Sequence, residues 1–179
     1  MTVNHCGPCT ACCTLVPVAE LDKRSFTRCA RLQPAAATSP GCRIYGARPE
    51  SCRRWSCQWL TEGWDEDLRP ERCGVIFDPI ADLVWINGAE LPVVQAWVMP
   101  GTKLERLREP PIAAVIAAAA AGGHAVLFRL GPKLTFVVWR QNGQFFASEP
   151  KPPSDRLGNE TERLQRALRL SARVQDAHR

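Results

Sequence analysis

The chain of 179 residues has no cysteine after Cys73, only three histidines and a single tyrosine. These shortages are useful for what they exclude. From residue 74 onward there is no HExxH pair, no glycine-rich phosphate loop and no GxSxG elbow, so the usual hydrolase and nucleotide chemistries have no anchor. His124 is the one histidine between residues 74 and 150 and reads as structural at a helix-to-strand junction. Asp78 and Asp82 are the two ends of DPIAD, flanking an expected turn, where aspartate is expected on conformational grounds. The start, MTVNHCGPCTACC, has neither the basic nor the apolar region of a secretory signal, so a cytoplasmic, thiol-reducing location is expected. Residues 112–128 are uncharged, but the stretch is too short and alanine-rich for a membrane span, and Gly122, Gly123 and His124 interrupt it.

What the sequence does have is thiols. All nine cysteines fall between Cys6 and Cys73. An odd count, an adjacent Cys12-Cys13 pair and a reducing compartment fit a disulfide scaffold poorly. The stretch His5-Cys6-Gly7-Pro8-Cys9-Thr10-Ala11-Cys12-Cys13 has no core-packing explanation. Cys-x-x-Cys lets one tight turn present two sulfurs to one metal, and Gly7-Pro8 are turn-forming residues. Cys12 repeats the interval, which suits zinc and also an iron–sulfur cluster. Neighbouring side chains diverge, so Cys12 and Cys13 point to more than one metal atom. The other half of the site is expected from Cys29, Cys42, Cys52 and Cys57.

Between these groups, residues 14–28 read as an extended piece followed by a short helical turn, and residues 33–41, QPAAATSPG, as a flexible loop. The run CRIYGARPESCRRWSC alternates cysteines with cations and aromatics. Arg43, Arg48, Arg53 and Arg54 are expected to offset the negative charge of thiolate-bound metal or to donate to sulfur. Tyr45, Trp55, Trp59 and Trp64 are expected to cover the site and exclude water.

With CGPCTACC at residues 6–13, CARL at Cys29 and C-x-IY-x-x-RP-x-x-CR-x-x-x-C from Cys42 to Cys57, roughly the first third of the chain resembles the YkgJ-like cysteine-cluster family, the CxxCxxCC zinc- or iron-chelating domain proteins. The resemblance implies a metal centre held by Cys6, Cys9, Cys12, Cys13, Cys29, Cys42, Cys52 and Cys57, with an iron–sulfur cluster or zinc as cofactor. It implies a structural, redox or iron-handling role. The broader group includes a flagellin lysine methylase, so the alternative is a metal-dependent enzyme modifying a protein or small molecule; no catalytic residue is assigned. Cys73 lies outside the pattern and reads as a small buried hydrophobe. His5 is not needed as a ligand.

The expected fold class is α+β: a small cysteine-rich metal-binding module over residues 1–73, followed by a small antiparallel sheet packed with helices over residues 74–150. Residues 75–77 and 83–86 flank DPIAD as a hairpin. Residues 112–121 form a helix stopped by Gly122-Gly123. Strands at 125–130 and 133–140 join at Gly131-Pro132, and Asn142-Gly143 turns the chain back. After the stiff PKPPS linker, Leu164, Leu168, Ser171 and Val174 recur at helical spacing over residues 151–179. That helix is expected to dock on its own domain or on a protein partner. Its acidic residues are interleaved and it has no aromatics for stacking, so nucleic acid is not an expected partner.

Overall fold

The computed structural model describes residues 6, 7, 9–33 and 41–149. His5, the PKPPS linker and the expected C-terminal helix lie outside the described residues.

The cysteine-bearing part is built from short helices. Helix α1, Ala11–Leu15, ends at Val16, because the following Pro17 disfavours helical geometry in the residue before it. Ala11 and Leu15 stand four apart and are both buried, so they define the inward face. Cys12 and Cys13 are left half-buried on its flank. The expectation of an extended piece holds only beyond α1: a β-bridge joins Val18 to Lys23 across the 3-10 turn Ala19–Leu21. Helix α2, Glu50–Arg54, has Glu50 in its first turn and Arg53 and Arg54 in its last, which suits the helix dipole. Its Ser51 backbone N–H and hydroxyl donate to the Glu20 carboxylate at 3.1 and 2.7 Å, tying two distant stretches of chain together. Helices α3, Gln58–Thr61, and α4, Pro70–Cys73, follow. Proline opens α4 and Gly74 closes it at φ 79°, a left-handed position that favours glycine. A Cβ on Gly74 would also lie 2.4 Å from the Thr102 hydroxyl.

Strands β1, Val75–Ile86, and β2, Ala89–Val98, pair antiparallel. The hairpin turn is Asn87-Gly88, with φ of 50° and 84°, the backbone that a tight Asn-Gly turn requires. This corrects the reading of DPIAD as the turn. Pairing of Asp78 with Gln95 and of Asp82 with Val93 sets residues 79–81 against Val94 alone, so DPIAD is a bulge within one long strand. Proline is tolerated there because the ladder is already interrupted.

Helix α5, Ile112–Ala121, has the bounds read from the sequence. It is the crossover that makes β3, Ala125–Arg129, parallel to β2. The sheet is therefore mixed, a correction to the antiparallel expectation, since a parallel neighbour needs such a crossover. Strands β4, Thr135–Gln141, and β5, Gln144–Ser148, add antiparallel. The order is β1-β2-β3-β4-β5. Helices beside a mixed sheet make the chain α+β.

Central β3 buries both faces: Val126 and Phe128 join one apolar cluster, Ala125 and Leu127 another, as side-chain alternation dictates. The first cluster also holds Ala11, Leu15, Cys57, Trp59 and Leu68. The cysteine-bearing helices thus share a core with β1, β2 and β3 rather than standing clear of them.

Candidate metal centre

The expected ligands are delivered by several local devices. Cys6 and Cys9 bracket a turn closed by the Cys9 N–H on the Cys6 carbonyl at 3.0 Å, with Gly7 at φ 51°. Cys12 and Cys13 ride on α1. The Cys29 N–H donates to the Cys13 carbonyl at 2.9 Å, drawing that loop against the helix. Cys29 sulfur accepts the Arg31 N–H at 3.4 Å. Cys42 is held by a bridge to Leu32. Cys52 lies in α2, and Cys57 precedes α3.

All eight of these thiols line one cavity of about 840 Å3. Cys73 does not. It is 1% exposed, packs in the core and donates its S–H to the carbonyls of Val75 and Leu68 at 3.2 and 3.4 Å. All nine cysteines are free thiols. Among the described residues, no three Cys, His, Asp or Glu side chains close on a point in the way that holds one metal ion. The thiols therefore share a space without sharing a single focus.

The thiols differ electrostatically. Burial is the first cause that pushes Cys6, Cys9, Cys52 and Cys57 above the ordinary thiol range, since desolvation disfavours the thiolate. Hydrogen bonding of Cys9 to Glu71 adds to its rise. The amides of Leu60, Cys57 and Trp59 work against the rise at Cys57. The adjacent pair splits: the Cys12 thiol donates to Cys13, which raises Cys12 well above its usual value and brings Cys13 down to about 7. Lys23 and Arg48 help to hold Cys13 down.

Of the expected cations, Arg48, Arg53 and Arg54 line the cavity, joined by Arg31 and Lys23. Arg43 is not on its wall. Arg48 stacks on the Tyr45 ring at 3.7 Å and donates to the Tyr45 carbonyl at 2.9 Å. The aromatics divide. Tyr45 and Trp55 line the cavity, whereas Trp59 and Trp64 do not. Trp59 is buried and donates to the Asp65 carbonyl at 3.0 Å, and Trp64 packs edge-on to Phe77. Those two form core contacts rather than the expected lid.

Three residues outside the expected set matter here. Asp78 is 3% exposed on the cavity floor. One carboxylate oxygen accepts the Trp55 indole N–H and the Ile80 amide, both at 3.0 Å, and the other accepts the Trp97 indole at 3.0 Å. This fixes the Cys52–Cys57 stretch onto β1 and β2. Gln95, opposite Asp78 in the ladder, accepts from Arg129 at 2.7 Å. Lys23 is 7% exposed. A lysine in an AELDKR context carries no local sign of burial; Asp78 carries a faint one, as a carboxylate ending an apolar strand run.

Compared with family models, curated proteins and solved structures, the chain matches none. Among the described residues no helix is long and apolar enough to cross a membrane.

Proposed function

We propose that this is a cytoplasmic metal-binding protein of the YkgJ-like cysteine-cluster kind, holding an iron–sulfur cluster or zinc through its eight patterned cysteines. Its role on this reading is structural, redox or iron-handling. The observation that carries the reading is that Cys6, Cys9, Cys12, Cys13, Cys29, Cys42, Cys52 and Cys57 line one cavity while the unpatterned Cys73 is buried in the core.

The donor set fits a thiophilic metal. Several of the thiols are driven toward their protonated form by burial, and bound metal supplies the positive charge that stabilises thiolate in such surroundings. The cations on the cavity wall favour the same state. Iron–sulfur is the preferred member of the pair. The compressed repeat at Cys6, Cys9 and Cys12 suits the wrapping of a cluster, and Arg48, Arg53, Arg54, Tyr45 and Trp55 on the cavity wall would offset its negative charge and shield it. Bound there, such a cluster supplies one-electron chemistry or structural cross-linking; the chain supplies the thiolates, the cationic wall and the indole-anchored floor.

The test is anaerobic purification after expression with ample iron, followed by metal analysis, acid-labile sulfide and absorption spectroscopy. Brown protein with a broad band near about 400 nm that bleaches on reduction is expected. Colourless protein with stoichiometric zinc and no sulfide reverses the choice of metal. Protein with neither metal refutes the reading.

The cavity volume favours a second reading. About 840 Å3 falls in the range of small-molecule sites, which suits a metal-dependent enzyme modifying a protein or small molecule. Binding of cyanide to the loaded metal, marking an open coordination position, would favour this alternative.

A further inference from the structure

We propose that Lys23 is the fixed counter-charge of the thiolate centre, placed on the wall of the cavity that Cys12, Cys13, Cys29 and Cys52 also line. The inference rests on the metal-binding reading and assigns a positioning role to a residue outside the cysteine pattern.

Lysine is rarely buried without an anionic partner, yet Lys23 is 7% exposed. The ion pairs among the described residues join arginine to glutamate, and none involves Lys23. Its ammonium donates to the Val16 carbonyl and, at 3.5 Å, to that of Arg24. These neutral acceptors do not neutralise an ion that has lost its water. The backbone allows little escape, because Val18 and Lys23 are locked by reciprocal hydrogen bonds of 2.9 and 3.0 Å.

What the ammonium faces is the cavity. The surrounding anionic candidates are Cys29, Cys13, Cys12 and Cys52, each of which favours the charged lysine against the desolvation that lowers its pKa. These thiols come from three separate stretches of chain and line the same cavity as Lys23. A metal centre that holds them as thiolates provides the negative charge that the buried ammonium lacks. In general, two unit charges about 6 Å apart at an effective dielectric of about 20 interact strongly enough to change an equilibrium constant by roughly a hundredfold.

The experiment uses the full chain and zinc alone as probe, with affinity measured by competition against a chromophoric chelator at pH 7. Lys23→Gln keeps a donor for the Val16 carbonyl but removes the charge; Lys23→Arg keeps the charge. The expected result is zinc binding weakened by about tenfold or more in Lys23→Gln and by about threefold or less in Lys23→Arg, the tenfold threshold allowing for partial screening. Wild-type affinity in Lys23→Gln overturns the proposal. So does equal weakening in both variants, which marks a lysine needed for its shape. A Lys23→Gln protein that fails to fold even with zinc present assigns Lys23 to the scaffold and overturns it too. Wild-type chain that binds neither zinc nor iron overturns the metal reading itself, which separates the two failures.

Discussion

Replacing Asp78 by alanine tests whether the cavity floor is what holds the cysteine segment to the sheet. The substitution removes an acceptor of two indole N–H bonds and one backbone N–H bond, each at 3.0 Å. Hydrogen bonds to a charged acceptor are worth about 1.5–3 kcal/mol each, and donors left unpaired in a buried site lose more. Relief of the carboxylate's own desolvation offsets part of this loss. The net expectation is a destabilisation of about 3 kcal/mol, read from urea unfolding of metal-free protein by far-ultraviolet circular dichroism. Trp55→Phe removes one of the three donors and should cost about 1 kcal/mol. Because the two residues share a bond, the double variant should fall short of additivity by about 1 kcal/mol. Trp55 lies between Cys52 and Cys57, so both single variants should also reduce metal content. An Asp78→Ala loss below about 1 kcal/mol, or additivity within about 0.5 kcal/mol, would refute the assignment of Asp78 as the anchor.

Other expectations follow from the same geometry. Cys52→Ser should sharply lower metal content, whereas Cys73→Ser should leave it nearly unchanged and instead cost about 1–3 kcal/mol of stability as a hydroxyl enters the core; equal metal loss in both would misplace the site. In metal-free protein, Cys13 is held down to about 7 and Cys12 is raised, so Cys13 is thiolate above about pH 7 and loses reactivity as pH falls through that value. Timed alkylation with mass spectrometry should therefore label Cys13 before Cys12, and the reverse order would contradict the pairing. The exposed Glu20 carboxylate is held below the usual range, first by the Ser51 hydroxyl. Its contribution is present above the ordinary carboxylate pKa and lost as pH falls through the lowered value, and Glu20→Gln should remove that acid dependence from thermal unfolding. Chelation of loaded protein should increase hydrogen exchange around Cys29, Cys42 and Cys52 while α1 and α3, which share the core with the sheet, keep their protection. Uniform loss of protection would show that the metal supports the whole fold.

The sequence by itself determined the elements whose signals are local. The alanine-rich run ended by Gly122-Gly123 specified α5, and Asn142-Gly143 specified the β4–β5 turn, because helix propensity, glycine conformations and turn geometry act over a few residues. The cysteine intervals likewise marked a metal-binding candidate without reference to any fold. Tertiary structure decided what depends on distant partners. DPIAD has turn-like residues but became a bulge once the Asn87-Gly88 turn fixed the β1–β2 register. The sheet became mixed because α5 returns β3 alongside β2 in parallel, a choice that strand composition does not encode. Trp55 and Trp59, close in sequence, went to cavity floor and core because only Trp55 reaches Asp78. Lys23 is the clearest case: it lines the same cavity as Cys13 on α1, Cys29 and Cys52 on α2, and a charge environment assembled from separate stretches of chain has no one-dimensional signature.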